Sequence, residues 1–225
     1  FISKKFFIFV IVILCCFILS FLVYSAENES MKDNKTIING DFILTDDNYE
    51  KAKNIEVIKG NLVLDNSKKT FMPSLKYVKK GLYVENKDTL KMIELPEILE
   101  IRNIHVVRTK KLTSIKLPKL DKVNGDIKVE YNDNLSKINM TKLYEIKGSI
   151  DITRNHSLKE IIFSSLKKIK LCNFKKINKF ISLQDNELLE KVSMSKIDEI
   201  GQFNNLSIVF RNNGIDILIM RRGEI

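Results

Sequence analysis

The chain has 225 residues, 44% hydrophobic and 29% charged, with only three prolines and eight glycines. That composition excludes a chain disordered over most of its length and allows one ordinary domain plus a leader. The formal charge of +10 rests on 32 lysines among 38 basic residues. They are scattered through the chain with no stripe of interleaved Arg and aromatic residues, which argues against a nucleic-acid partner.

The first element is a leader. Lys4 and Lys5 precede an apolar run from Phe6 to Ala26, followed by polar Glu27 to Ser30. A charged start, an apolar stretch and a Val23-Tyr24-Ser25 cleavage signal describe a signal peptide over residues 1–25. The same run is long enough to act as an uncleaved anchor, which would be the chain's one link to a membrane. In either case the lysines on the amino side direct everything after the run out of the cytosol. The mature domain is therefore expected to be secreted or at the cell surface. Loss of 1–25 removes Cys15 and Cys16 and leaves Cys172 alone, so the core must hold the domain without an intrachain disulfide. Residues 26–36 read as a polar linker.

From residue 37 the chain repeats. Pro73, Pro96 and Pro118 stand 23 and 22 residues apart, in Met72-Pro-Ser-Leu75, Leu95-Pro-Glu-Ile98 and Leu117-Pro-Lys-Leu120. Met140-Thr-Lys-Leu143 and Phe163-Ser-Ser-Leu166 keep the frame without proline. Apolar residues alternate within each unit, at Leu62/Leu64, Leu82/Val84, Ile104/Val106, Ile127/Val129 and Ile150/Ile152. Period two over such short stretches predicts strands with one buried face. Gly40, Gly60, Gly125 and Gly148 fall at one corner, where glycine supplies a positive φ or close backbone approach. Proline falls at a second, where it has no ladder N–H to lose. Asn66, Asn86, Asn132 and Asn155 are assigned to a third, each bonding its own backbone.

The prediction is a mainly β, right-handed parallel β-helix or leucine-rich-like solenoid over 37–220. It has about seven coils of ~23 residues, little helix, and a length on the order of 35 Å. The frame slips near 170–179, where about eight residues are inserted, and 221–225 form a tail. Opening on Phe1 and stopping at Ile225 without a polar cap, the chain is expected to be a piece of a longer product.

The pattern Ile/Val-x-Gly-x-Ile-x-Val, then Asn-x-x-Leu-x-x-Ile-x-Leu-Pro-x-Leu-x-x-Ile, resembles the receptor L-domain family. These are the leucine-rich-like right-handed β-helices of insulin- and EGF-type receptor ectodomains and related surface proteins. The likeness covers residues 37–210 and is strongest over 76–166. It departs from animal receptors in lacking their flanking disulfide cysteines. The resemblance implies non-catalytic binding of an extracellular protein or peptide, with the strand face as the docking surface.

Two outward columns follow from the frame: Ile43, Val63, Tyr83, His105, Lys128, Asp151, and Thr45, Asp65, Glu85, Val107, Glu130, Thr153. The apolar-to-aromatic strip Ile43, Val63, Tyr83, His105 on a face that should be polar is the candidate partner surface. A basic ladder, Lys59, Lys79, Arg102, Lys147 and Lys170, broken by Asn124, is the candidate contact for an acidic glycan. Asp65 and Glu85 on adjacent coils are the pair a carbohydrate-acting β-helix enzyme would need. His105 and His156 have no Cys or carboxylate partner at metal-ligand spacing, and no Gly-x-Ser-x-Gly elbow, P-loop or dinucleotide fingerprint occurs. No metal, cofactor or catalysis is expected. Sequons at Asn28, Asn34, Asn134, Asn139, Asn155 and Asn205 would make a eukaryotic version a glycoprotein. The rival readings are a structural or adhesive leucine-rich surface protein and a β-helix carbohydrate enzyme.

Overall fold

The computed structural model describes residues 35–65, 67–170, 181–194, 199–200 and 208–214. The leader, Cys172, the expected insertion, the tail and the sequons Asn28, Asn34 and Asn205 all lie outside them.

Alternation of apolar residues produces parallel rungs that stack coil on coil. The long face consists of Phe42–Leu44, Leu62–Leu64, the second half of Tyr77–Glu85, the second half of Glu100–Val107, Ile127–Glu130, Ile150–Thr153, Ile181–Gln184 and Ile208–Arg211, paired in that order. Shorter rungs, such as Lys122–Val123, Glu145–Ile146 and Lys168–Ile169, stack beside it as a second face. A separate sheet of Met92–Glu94, Ser114–Lys116, Lys137–Asn139, Glu160–Phe163 and Lys191–Met194 forms the third. The chain is thus a three-sided right-handed parallel solenoid, within one turn of the expected count. The one helix among the described residues is the single turn Tyr49–Ala52. Its Tyr49 and Ala52 plug the first coil, with the Tyr49 hydroxyl donating to the Phe71 carbonyl at 3.1 Å.

Inward residues repeat as buried columns. Leu62, Leu82, Ile104, Ile127, Ile150 and Ile181 are partners in register, as are Ile93, Ile115, Ile138 and Ile161 on the third side. All are at most 1% exposed. Each such aliphatic contributes roughly 1.5–3 kcal/mol relative to exposure, and the columns together form one continuous core.

Corners are solved in three ways. Proline occupies the second position of a β-turn in which Leu120 N–H donates to the Leu117 carbonyl at 3.2 Å; Leu143 to Met140 repeats that bond without proline. At the glycine corner close approach is what matters: a Cβ on Gly148 would stand 2.5 Å from Asp126 Oδ1 and from the Gly125 carbonyl. Positive φ falls elsewhere, on Asn86, Arg108, Tyr131, Arg154, Asp185 and Asn212 at the end of the long face.

The third corner corrects the sequence reading. Asn132, Asn155, Asn186 and Asn213 form a ladder between coils and do not merely bond their own turns. Thr109 N–H donates to Asn132 Oδ1 at 2.9 Å, Asn132 N–H to Asn155 Oδ1 at 3.1 Å, and Asn155 N–H to Asn186 Oδ1 at 3.1 Å. The amide nitrogens reach the other way, Asn132 Nδ2 to the Val106 carbonyl at 3.1 Å and Asn155 Nδ2 to Val129 at 3.0 Å. Buried backbone groups need partners, and one asparagine per coil supplies both a donor and an acceptor. Asn155 also keeps a local bond to the Thr153 carbonyl at 3.1 Å. Asn86 stands one position earlier, in the left-handed column with φ 54°. Asn66 lies outside the described residues.

Register spacing along the long face is 23 residues from Ile127 to Ile150 but 31 from Ile150 to Ile181. The extra length therefore falls after the short rung Lys168–Ile169.

Candidate functional site

The long face carries both outward columns in register. Ile43 pairs Val63, Val63 pairs Tyr83, Tyr83 pairs His105, His105 pairs Lys128, and Lys128 pairs Asp151. Ile43 is 52% exposed and Tyr83 36%, although the same rungs bury Leu44 and Leu82 completely. The Tyr83 and His105 rings lie 5.6 Å apart at 33°, so the strip ends in an aromatic pair. His105 Nε2 stands 3.9 Å from Glu85 Oε2, and Arg108 Nη1 stands 3.9 Å from Glu85 Oε1.

The second column continues Glu85, Val107, Glu130, Thr153 in register. Each acid of its carboxylate pair has its own basic partners. Asp65 is bound by the Lys87 ammonium, while Glu85 faces His105 and Arg108. Both acids sit in ion pairs on the solvent side.

The basic ladder stacks at the glycine corner, with Lys147 N–H bonded to the Val123 carbonyl and Lys170 N–H to Ile146. Acids two places earlier in the sequence interrupt its field. Lys79 Nζ is 3.5 Å from Glu100 and lies 4.7 Å above the Tyr77 ring, and Lys170 Nζ is 3.8 Å from Glu145. Lys59, Arg102 and Lys147 have no ion pair among the described residues. Elsewhere lysines bridge coils to acids: Glu160 accepts from Lys137 at 2.6 Å and Lys191 at 2.9 Å. These two ammonium groups hold the Glu160 carboxyl below its usual range.

Among the sequons, Asn134 is exposed and Asn139 half-buried. Asn155 is fully buried in the ladder with its Nδ2 committed, so this fold leaves no room for a glycan there. His156 Nδ1 lies 3.6 Å from Glu187, at the surface. Among the described residues no group of three or more His, Cys, Asp or Glu is placed to hold a metal ion. None of their helices is long and apolar enough to cross a membrane.

Two arrangements escaped the sequence columns. The left-handed corner brings both Arg108 and Arg154 to the Tyr131 ring, 5.2 and 5.1 Å from its centroid, with Arg154 Nη1 donating to the Tyr131 hydroxyl at 2.9 Å. Only φ marks that corner, and φ is not legible in residue names. The first outward column also runs past Asp151 to Ser182, where it meets a cleft of about 190 Å³. Glu130, Thr153 and Gln184 line one part of the cleft, Arg154 and Asp185 its rim. The alternation Ile181/Leu183 was the signal that placed Ser182 and Gln184 outward, but the break in spacing separated it from the earlier columns. No protein-family model, no curated protein and no solved structure matches this chain.

Proposed function

We propose that the chain is a non-catalytic, extracellular or cell-surface binding module of the receptor L-domain type, which captures a protein or peptide on its long strand face. The observation that carries the reading is the in-register strip Ile43, Val63, Tyr83 and His105, in which Ile43 and Tyr83 are exposed and Val63 and His105 half-buried, although Leu44, Leu62, Leu82 and Ile104 already fill the core beneath them. Hydrophobic side chains left outside a saturated core do nothing for folding, and contiguous ones mark partner surfaces. Tyrosine and an adjoining imidazole add the rigid, amphipathic contact area that interface centres favour. Export follows from Lys4, Lys5 and the apolar run behind them.

The test is selection of a displayed peptide library on the immobilised protein, followed by affinity measurement on wild type and on Tyr83→Ala/His105→Ala. Loss of tenfold or more in the folded double variant is expected, since centre-of-interface truncations cost at least about 1.4 kcal/mol. Equal affinity of the selected peptides for both proteins would remove the strand face from the reading. An acidic glycan at the basic ladder is the weaker second reading, because Glu100 and Glu145 neutralise part of that ladder.

A further inference from the structure

The polar end of the long face is a separate opportunity. Four features make the cleft at Asp151 a built site. Thr153 is only 5% exposed and lines the cleft. Asp151 Oδ1 is buried and unpartnered by any ordinary donor. Ser182, 3% exposed, is held by Gln184 Nε2 at 2.6 Å, which leaves the Gln184 carbonyl oxygen to accept. Arg154 is pinned at the rim by the Tyr131 ring and hydroxyl. It stands at φ 54°, in the left-handed corner that recurs on each coil.

Charge selects the class of ligand. Glu130 is paired with Lys128 at 3.1 Å, and Asp185 with Arg154 at 3.7 Å. The remaining acid, Asp151, lines the same cleft beside Glu130 and Ser182. Burial first, then the Glu130 charge, push its carboxyl above the usual range, with Lys128 opposing. With those two pairs closed, no net positive charge is left to draw a polyanion, and the lining is rich in both donors and acceptors, without an apolar part. A polyanion, a cation and a hydrophobic group would each leave such a site poorly matched. A ligand of hydroxyl groups, which donate and accept alike, satisfies it.

We propose that this cleft binds a neutral saccharide, with Thr153, Gln184, Arg154 and the Glu130–Asp151 pair as its contacts. The site goes beyond the peptide-binding reading, since it uses different residues of the same face. Both carboxyl groups serve here as hydrogen-bond partners of the bound saccharide. A volume of about 190 Å³ falls below the ≈ 300–1,000 Å³ of drug-sized pockets and suits one sugar ring of a longer glycan.

Calorimetric titration of the full chain with cellotetraose, mannotetraose and chitotetraose, with a heparin-derived tetrasaccharide as the acidic control, tests the site. Saturable binding of at least one neutral tetrasaccharide is expected at about millimolar Kd or tighter, weakened about tenfold by Thr153→Val and by Gln184→Ala. Gln184 lies at the half-buried rim, so its variant remains informative if Thr153→Val fails to fold. Tyr83→Ala should leave sugar binding unchanged, which separates failure of this site from failure of the peptide surface. The proposal is overturned by no saturable heat with any neutral tetrasaccharide at about 10 mM, by affinity unchanged in the folded variants, or by preference for the heparin fragment.

Discussion

The first outward column of the long face changes character half-way along, while the core beneath it does not. In the early coils it reads Ile43, Val63, Tyr83; in the later ones Lys128, Asp151, Ser182, with His105 between. The inward neighbours stay aliphatic throughout, from Leu62 to Ile181. The halves also close the corner after the strand differently. The early half relies on isolated polar contacts, such as Ser67 Oγ to Asp46 Oδ1 at 3.1 Å and to the Lys69 carbonyl at 2.6 Å. The later half is tied by the asparagine ladder that begins at Thr109. Folding is thus carried by what repeats and recognition by what varies, and the better-tied half is the one that carries the polar cleft.

The strongest way to break that contrast is Asn155→Leu. It removes the acceptor for Asn132 N–H and the donor to the Val129 and Thr153 carbonyls, all in a buried corner. Unsatisfied groups at ~1–3 kcal/mol each predict a loss of about 3 kcal/mol or more in urea-unfolding stability. Ser67→Ala in the early half should lose only about 1 kcal/mol. Equal losses would mean that the ladder is decoration. At the glycine corner the same substitution has two outcomes. Gly148→Ala forces a Cβ against the Gly125 backbone and should cost about 1–3 kcal/mol. Gly40→Ala meets nothing within 4 Å and should gain ~0.5 kcal/mol by restricting the unfolded chain.

Most of the fold was legible because period two, the proline phase and the glycine phase all report backbone positions directly. The outward columns from Ile43 to Asp151 were legible for the same reason. The asparagine corner was only half legible: Asn132 and Asn155 repeat at 23 residues, but Asn186 and Asn213 follow at 31 and 27, and a ladder between coils has no local sequence mark. Asn86 misled because the left-handed position beside the ladder favours the same residue type for a different reason. The cleft needs rungs on both sides of the break in spacing, so no single repeat displays it.

A smaller change would sharpen the contrast by extending the ladder. Thr109 is fully buried and its Oγ1 finds no partner. Asparagine there stands where Asn132 stands one coil later, and the same geometry directs its Nδ2 to the Val84 carbonyl and its Oδ1 to Lys87 N–H. Thr109→Asn should therefore stabilise the chain by about 1 kcal/mol in urea unfolding, and a loss would show that the early half cannot accept the ladder.

The finest distinction is in pH, because Asp41 and Asp46 in the early half and Asp151 in the cleft are shifted in opposite directions. Asp41 and Asp46 in the early half sit below their usual range, through the backbone N–H groups of Asn61 and Lys68. Such groups add stability above the ordinary carboxylate pKa and lose it as pH falls. Asp151 in the cleft is raised by burial and by Glu130, so between the ordinary aspartate value near 3.8 and its raised value the folded state holds more protons than the unfolded. Its contribution is complete below that window and is lost as pH rises through the raised pKa. Asp151→Asn imitates the protonated form. Its Tm should match wild type at about pH 3.5 and exceed it progressively towards neutrality, by a small margin because the half-exposed carboxyl is partly screened by water. A Tm difference independent of pH would mean that burial and the Glu130 charge leave the Asp151 carboxyl unshifted.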